Sequence, residues 1–181
     1  MNTRPDSGAR PSYAEAVKLF RIENAIAGLQ GDIATGLNAC VECCDRHCGE
    51  DRIALRWIAA DGRLETYSFE DLREMSARMA AVLRDAGVQP GDVVAGLLPR
   101  TPDLVATVLG AWRLGAAYQP LFTAFGPKAI EHRLTTAATR LVVTDTANRG
   151  KLDGIADCPQ VAVVLKEGET APDGDIDLRA A

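Results

Sequence analysis

The sequence predicts an α/β fold, a mostly parallel, doubly wound sheet with flanking helices, together with a β-hairpin. Short apolar runs, which are typical of strands buried on both faces, occur at residues 93–98, 140–145 and 161–166. They alternate with helical patterns through short connections, which indicates right-handed βαβ units. Upstream, two β-rich runs flank a tight turn at Asp61 and Gly62, the pattern of a hairpin.

The amino-terminal half contains a predicted helix and the two hairpin strands. Residues 12–30 carry apolar side chains at helical spacing and predict one helix. Residues 52–59 and 63–69 are rich in β-branched and aromatic residues, so they predict the strands of the hairpin.

Two further helices are predicted from their capping residues. Ser68 with Asp71 is a capping pair that begins a helix, and Gly87 can end it. Thr101 can cap the next helix, which Gly115 can terminate. The remaining predicted elements are a strand at residues 116–121 and a helix at residues 126–138.

Composition divides the chain into three parts. Residues 1–11 are polar and interrupted by proline, so they predict a disordered tail. Residues 12–166 predict the folded domain. Residues 167–181 are acidic and rich in turn formers, so they predict a linker or a chain end.

Residues 38–49 hold a cluster of cysteine and histidine residues, which suggests a zinc site. The cluster has the i, i+3, i+4, i+7, i+8 spacing of one helix face and comprises Cys40, Cys43, Cys44, His47 and Cys48. On a straight helix Cys40 and Cys48 would lie roughly 12 Å apart along the helix axis. Because zinc needs four donors around one point, one helix cannot supply them. We expect the cysteines to pack as small apolar residues, with zinc binding and redox chemistry as alternatives. The expected outer face is Glu42, Asp45, Arg46 and Glu50.

Charge and cysteine content narrow the class of protein. The net charge of −5 argues against a nucleic-acid surface. An odd number of cysteines, 5, and no evident secretory leader indicate a reducing, cytoplasmic location. The apolar runs are far too short to span a bilayer, so no membrane association is expected.

The usual nucleotide and nucleophile motifs are not found. The sequence contains neither a GxGxxG nor a GxxxxGK[ST] loop, and no G-x-S-x-G element. His47 and His132 are expected to be structural, with His132 on an exposed helix flank. Arg149 and Lys151 form a small basic spot just after a predicted strand, where phosphates are often held, although solvation alone also explains two basic residues in a loop.

Two stretches resemble the adenylate-forming superfamily, which includes acyl-CoA synthetases, luciferases and peptide-synthetase adenylation domains. Residues 66–72, TYSFEDL, resemble its early Thr-Tyr-x-x-Leu element. Residues 113–121, RLGAAYQPL, resemble its Lys/Arg-x-Gly-Ala-x-Tyr-x-Pro-Leu element. The stretches GLNACVECCDRH and FGPKAIEHRL are similar to acetyl- and short-to-medium-chain acyl-CoA synthetases. The resemblance covers roughly residues 20–165.

The resemblance implies an enzyme that joins a carboxylic acid to coenzyme A with ATP and Mg²⁺. The carboxylate attacks ATP to give an acyl-adenylate and pyrophosphate, and the thiol of coenzyme A then displaces AMP. Residues 12–166 are then a partial N-terminal domain. The family's phosphate loop, adenine-binding and ribose-binding elements and catalytic lysine lie later, and none is present here, so no catalytic residue is assigned. A basic pair at about the place of Arg149 and Lys151 binds the 3′-phosphate of coenzyme A in acetyl-CoA synthetases.

Three hypotheses stay open at this point. The chain is a fragment of a synthetase that is inactive alone, which we favour; or a non-catalytic module that binds coenzyme A or a partner; or a subunit that completes a synthetase in trans. The first hypothesis predicts exposed apolar surface and self-association through it.

Overall fold

The computed structural model describes residues 11–49 and 51–178. These residues form two compact units, one that ends at Gly36 and one that begins at Leu37. Of the tail expected at residues 1–11, only Pro11 is described, and the end of the linker expected at residues 167–181 also lies outside the described residues.

The first unit contains two short helices where the apolar spacing predicted one. α1 spans Tyr13–Leu19 and α2 spans Ile22–Ala27. Phe20 is extended, with φ −61° and ψ 131°, and this conformation ends α1. The prediction of a single helix is wrong because apolar spacing reports which face is apolar and not whether the backbone stays helical.

The second unit begins with the cysteine-rich stretch, which is also interrupted. α3 spans Ala39–Cys43, and a 3₁₀ turn follows at Asp45–His47. Cys44 between them leaves the helical conformation, with φ −127° and ψ −68°. The prediction of one helix with a single buried cysteine face is therefore wrong, since Cys40 and Cys44 are buried whereas Cys43 is exposed.

The hairpin and the helix after it are confirmed. β1, Ile53–Ile58, pairs antiparallel with β2, Leu64–Ser68. α4 spans Phe69–Asp85 and begins with the predicted capping box. The Asp71 backbone N–H donates to Ser68 Oγ at 3.1 Å, and the Ser68 N–H donates to Asp71 Oδ2 at 2.8 Å.

α5, Pro102–Arg113, packs closely against α4. A Cβ atom on Gly110 would lie 2.7 Å from the Met79 side chain, so the absence of a side chain permits this approach. Pro102 occupies the first turn as expected. Thr101 precedes the helix, but its side chain makes no capping hydrogen bond, so that part of the prediction is wrong.

The main sheet has five parallel strands in the order β4-β3-β5-β6-β7. The last strand falls in the acidic region expected to be a linker, where two residues are too few to give a periodic signal. The strands are β3, Val93–Leu97; β4, Ala117–Pro120; β5, Leu141–Asp145; β6, Gln160–Val164; and β7, Ile176–Asp177. The remaining helices are α6, Pro127–Thr136, and α7, Thr146–Arg149, with a 3₁₀ turn at Gly150–Leu152.

Helices cover both faces of the sheet, which confirms the predicted fold class. Val94 and Val143 pack with residues of α4 and α5 on one face. Their sequence neighbours Ala95 and Val142 point to the opposite face of the sheet, where they pack with Ile130 of α6. Within the described part of the chain, none of the helices combines the length and apolar character needed to cross a bilayer.

Candidate functional site

The carboxyl ends of β3 and β5 lie side by side where the chain changes direction across the sheet. The chain runs from β3 through α5 to β4 on one side, then through α6 to β5 on the other. Open α/β sheets bind ligands outside their strand ends at such a point. A cavity of about 500 Å³, the switch-point cavity, opens here, and its lining includes Trp57, Tyr67, Leu98, Asp103, Asp145 and Lys166.

The switch-point cavity is lined by more carboxylates than cations. Glu65 accepts a hydrogen bond from the Tyr67 hydroxyl at 2.5 Å. Burial and this bond raise the pKa of Tyr67 to about 12, so the phenol stays protonated. Because Glu65, Asp103 and Asp145 outnumber Lys166, the cavity is unfavourable for a phosphate group. Among residues 11–49 and 51–178, no three His, Cys, Asp or Glu side chains are arranged to hold a metal ion.

The predicted basic spot lies just beyond the carboxyl end of β5. Arg149 is the last residue of α7, and its guanidinium binds two carboxylates. Its Nε and Nη2 donate to the two oxygens of Asp175 at 2.5 and 3.1 Å, and its Nη1 donates to Asp153 at 2.8 Å. The hydrogen bonds to Asp175 raise the pKa of Arg149 further, so this side chain is a permanent cation.

Lys151, the second basic residue, binds different partners. Its Nζ donates to Asn148 Oδ1 at 2.8 Å and to the carbonyl oxygen of Thr123, in the loop after β4. The two predicted residues therefore share one short helical segment at the carboxyl edge of the sheet but are held by separate hydrogen bonds. A guanidinium with several donors and an ammonium with three are suitable groups for a phosphate.

One of the two carboxylates that bind Arg149, that of Asp175, belongs to residues 166–178, which we call the acidic segment. The other, that of Asp153, precedes this segment in the sequence. Glu169 accepts hydrogen bonds from the Thr146 hydroxyl at 3.0 Å and from the Lys166 backbone N–H at 2.8 Å. Asp175 binds Arg149 as described above. The sequence analysis did not assign this segment to the site. Its acidic composition beside a basic spot was the available signal, but spacing alone does not show which charges meet.

Two cysteines of the cluster, Cys40 and Cys44, lie in the apolar core as neutral thiols. Cys44 is 1% exposed, and burial raises the pKa of its thiol to about 12. Burial also raises the pKa of Cys40, whose thiol donates to Ser76 Oγ at 3.9 Å. A thiol that stays protonated is a poor metal ligand and a poor nucleophile. Cys40 and Cys44 instead pack against Leu72 and Leu109, as the apolar interpretation expected.

Neither histidine belongs to the switch-point cavity. The His47 ring packs on Phe69 with the ring centres 5.1 Å apart. His132 is exposed on α6, as expected.

The comparisons with known proteins agree on one family. The family model described as AMP-binding enzyme matches residues 42–179. An acetyl-coenzyme A synthetase of Bacillus subtilis is 37% identical over 165 residues, 88% of this chain and 29% of that protein. One of Salmonella typhi is 36% identical over 111 residues, 60% of this chain and 17% of that protein.

A solved structure extends this similarity to the fold. The crystal structure of Brucella canis acyl-CoA synthetase is 62% identical and superposes with a TM-score of 0.88, over 93% of this chain and 31% of that one. The chain therefore belongs to the AMP-binding enzyme family. It spans less than a third of the length of the relatives named here.

Proposed function

We propose that this chain is the N-terminal part of an AMP-forming acyl-CoA synthetase. The enzyme would convert a carboxylic acid, ATP and coenzyme A into an acyl-CoA, AMP and pyrophosphate. The observation that carries the proposal is the 62% identity to an acyl-CoA synthetase over nearly the whole chain. Residues 12–166 would supply one partial domain of that enzyme. A cytoplasmic location is supported by five cysteines that all remain unpaired.

The proposed contribution of this part is binding rather than bond making. We assign no residue of this chain to ATP or Mg²⁺, because the resemblance implies that the family's phosphate-loop, metal-binding and catalytic-lysine elements lie later in its chain. When bound to the complete enzyme, the metal would neutralise phosphate charge. We expect the isolated chain to give no ATP–pyrophosphate exchange.

Arg149 and Lys151 are the residues we assign to coenzyme A. The guanidinium can direct two parallel N–H groups at a phosphate, and the ammonium adds a positive charge. Asp145 supports this geometry, because its Oδ1 accepts the Asn148 backbone N–H at 2.9 Å and caps the helix that carries Arg149. The 3′-phosphate is the group these two cations would hold.

Calorimetric titration with coenzyme A and with 3′-dephospho-coenzyme A tests this assignment. We expect Arg149→Gln and Lys151→Gln each to weaken coenzyme A binding by about tenfold and to leave the dephospho ligand unaffected. Arg84→Gln is the matched control, because Arg84 is exposed and pairs only with Asp85 among the contacts described. Equal binding of both ligands by the unaltered chain would contradict the assignment.

A further inference from the structure

The acidic segment places a carboxylate on Arg149, the cation we assign to the phosphate. Two oxygens of Asp175 face two nitrogens of the guanidinium, which is the paired geometry that a phosphate would also adopt. The Asp175 side chain is 6% exposed and that of Arg149 is 21% exposed. A phosphate oxygen and Asp175 therefore need the same donors.

We propose that the acidic segment is an internal competitor for the anion at Arg149. Asp175 holds the guanidinium when no ligand is bound, and it must release the guanidinium before Arg149 can bind a phosphate. This inference rests on the proposed function of Arg149, and it adds a regulatory contact to the same site.

Asp175, rather than Asp153, is the group that sets the competition. Asp153 also binds Arg149, but its side chain is 72% exposed and contributes a single hydrogen bond. Exposed ion pairs contribute little because water screens them. Asp175 accepts two hydrogen bonds from the guanidinium and is shielded from water. Loss of Asp175 therefore frees more donors for a phosphate than loss of Asp153 does.

The backbone around Asp175 is suited to release. β7 contains two residues and is joined to β6 at Ala162 and Val163 alone. Gly174, directly before Asp175, has φ +90°, and Gly168 at the start of the segment has φ +83°. A two-residue edge strand that follows two glycine turns pairs with the sheet through a short stretch of backbone. Its separation from β6 would break these hydrogen bonds and the contacts of Ile176 and Leu178 at the border of the core, while the strands and helices that form the core stay paired.

The segment also opposes an incoming phosphate by its charge. Five carboxylates occur within it, at Glu167, Glu169, Asp173, Asp175 and Asp177. Glu169 fixes its first half to Thr146, at the other end of α7. Asp175 is the member of this set that contacts the guanidinium, so a phosphate at Arg149 is opposed by that negative charge until Asp175 moves.

Titration of three variants with coenzyme A tests the competition. We expect Asp175→Asn to bind coenzyme A about tenfold more tightly than the unaltered chain, because a neutral amide holds the guanidinium less strongly. Asp153→Asn is the matched control and should change the affinity by less than about twofold. Adding Arg149→Gln to Asp175→Asn should abolish the increase in coenzyme A affinity. The affinity for 3′-dephospho-coenzyme A should be the same in Asp175→Asn and in the unaltered chain.

The outcomes separate this inference from the proposed function. If Asp175→Asn binds coenzyme A as the unaltered chain does while Arg149→Gln binds it more weakly, the proposed competition is wrong but the proposed contact of Arg149 with coenzyme A is supported. If neither the unaltered chain nor any variant binds coenzyme A, the contact itself is wrong and the competition is wrong with it.

Hydrogen exchange on the unaltered chain provides a second measurement that needs no variant. The Leu178 N–H donates to the Val163 carbonyl at 3.2 Å, where β7 joins β6. Saturation with coenzyme A should accelerate exchange at Leu178 and at Ile176, whose N–H groups face β6 in this parallel pairing. Slower or unchanged exchange at these two amides would overturn the proposal even if Asp175→Asn failed to fold.

Discussion

Asp45 shows how a single residue can join elements that are distant in the sequence. Its two oxygens accept hydrogen bonds from Arg113 at 2.7 and 2.8 Å, and Arg113 also donates to Ser76 Oγ at 2.9 Å. These contacts join the cysteine-rich stretch to α4 and α5. The sequence analysis placed Asp45 on an outer, solvated face, and this is wrong because its partner lies 68 positions along the chain.

Removing the charge of Asp45 should destabilise the fold. Asp45→Asn leaves the Arg113 guanidinium, 23% exposed, without a carboxylate. We expect the free energy of unfolding to fall by about 1–3 kcal/mol, measured by urea denaturation. The control is Glu74→Gln, which breaks the exposed pair with Arg78 and should change stability by less than about 0.5 kcal/mol. Equal losses in the two variants would show that the pair with Arg113 has no special role.

At the scale of the elements, local chemistry predicted the start of α4 correctly, whereas the capping bond expected from Thr101 at the start of α5 is not formed. The capping box of α4 was readable because Ser68 and Asp71 are three residues apart and need no distant partner. The helices at residues 12–30 and 38–49 were predicted as continuous, but two extended residues, Phe20 and Arg21, interrupt the first, and Cys44 interrupts the second. Apolar spacing does not detect such a break, since both helical pieces keep the same residue pattern.

The capping box gives a prediction in which two helices can be compared. Ser68→Ala should lower the free energy of unfolding by about 1 kcal/mol, because one donor at the start of α4 loses its acceptor. Thr101→Ala is the matched control, since Thr101 precedes α5 without a side-chain bond and should have little effect. Thermal unfolding of both variants would measure the difference. A loss of stability in Thr101→Ala as large as that in Ser68→Ala would exclude capping as the cause.

The same box makes part of the stability depend on pH. Hydrogen bonds from the Ser68 backbone and hydroxyl hold the pKa of Asp71 below its usual value. A carboxyl with a lowered pKa in the folded state stabilises the fold above its unfolded pKa of about 4, and this contribution disappears as the pH falls through the folded value. The stability difference between Ser68→Ala and the unaltered chain should therefore narrow in acid.

The candidate site was only partly predictable from the sequence, because its contacts join residues that are far apart along the chain. The position of Arg149 and Lys151 after an apolar strand was visible, because a strand end is a local feature. Their partners Asp175 and Thr123 lie 26 and 28 positions away, and only the folded sheet brings them together. The alternating elements gave the fold class, whereas pairings between distant charges depend on the order of the strands in space.

At the scale of the whole molecule, large apolar side chains remain on the surface. Ile58 and Leu64 face each other across the hairpin and are 70% and 58% exposed. Phe122, in the loop after β4, is 66% exposed. Paired apolar side chains on an open two-stranded sheet favour association with another surface.

The isolated chain should therefore self-associate as its concentration rises. We expect sedimentation velocity to show a larger species at high concentration, and the double variant Ile58→Thr with Leu64→Thr to reduce it. Thr66→Ser, also on the exposed side of β2, is the control and should behave like the unaltered chain. A monomer at all concentrations would show that this surface does not mediate association.

The position of β3 between β4 and β5 affects the order in which the chain can fold during synthesis. The hairpin and α4 can form as soon as they are made, because their contacts are local. β3 is made next, yet its partners begin at Ala117 and Leu141, so both of its edges stay open while those residues are added. Of the three strands with a neighbour on each side, β3, β5 and β6, β3 is thus the one that waits longest for its neighbours to be made.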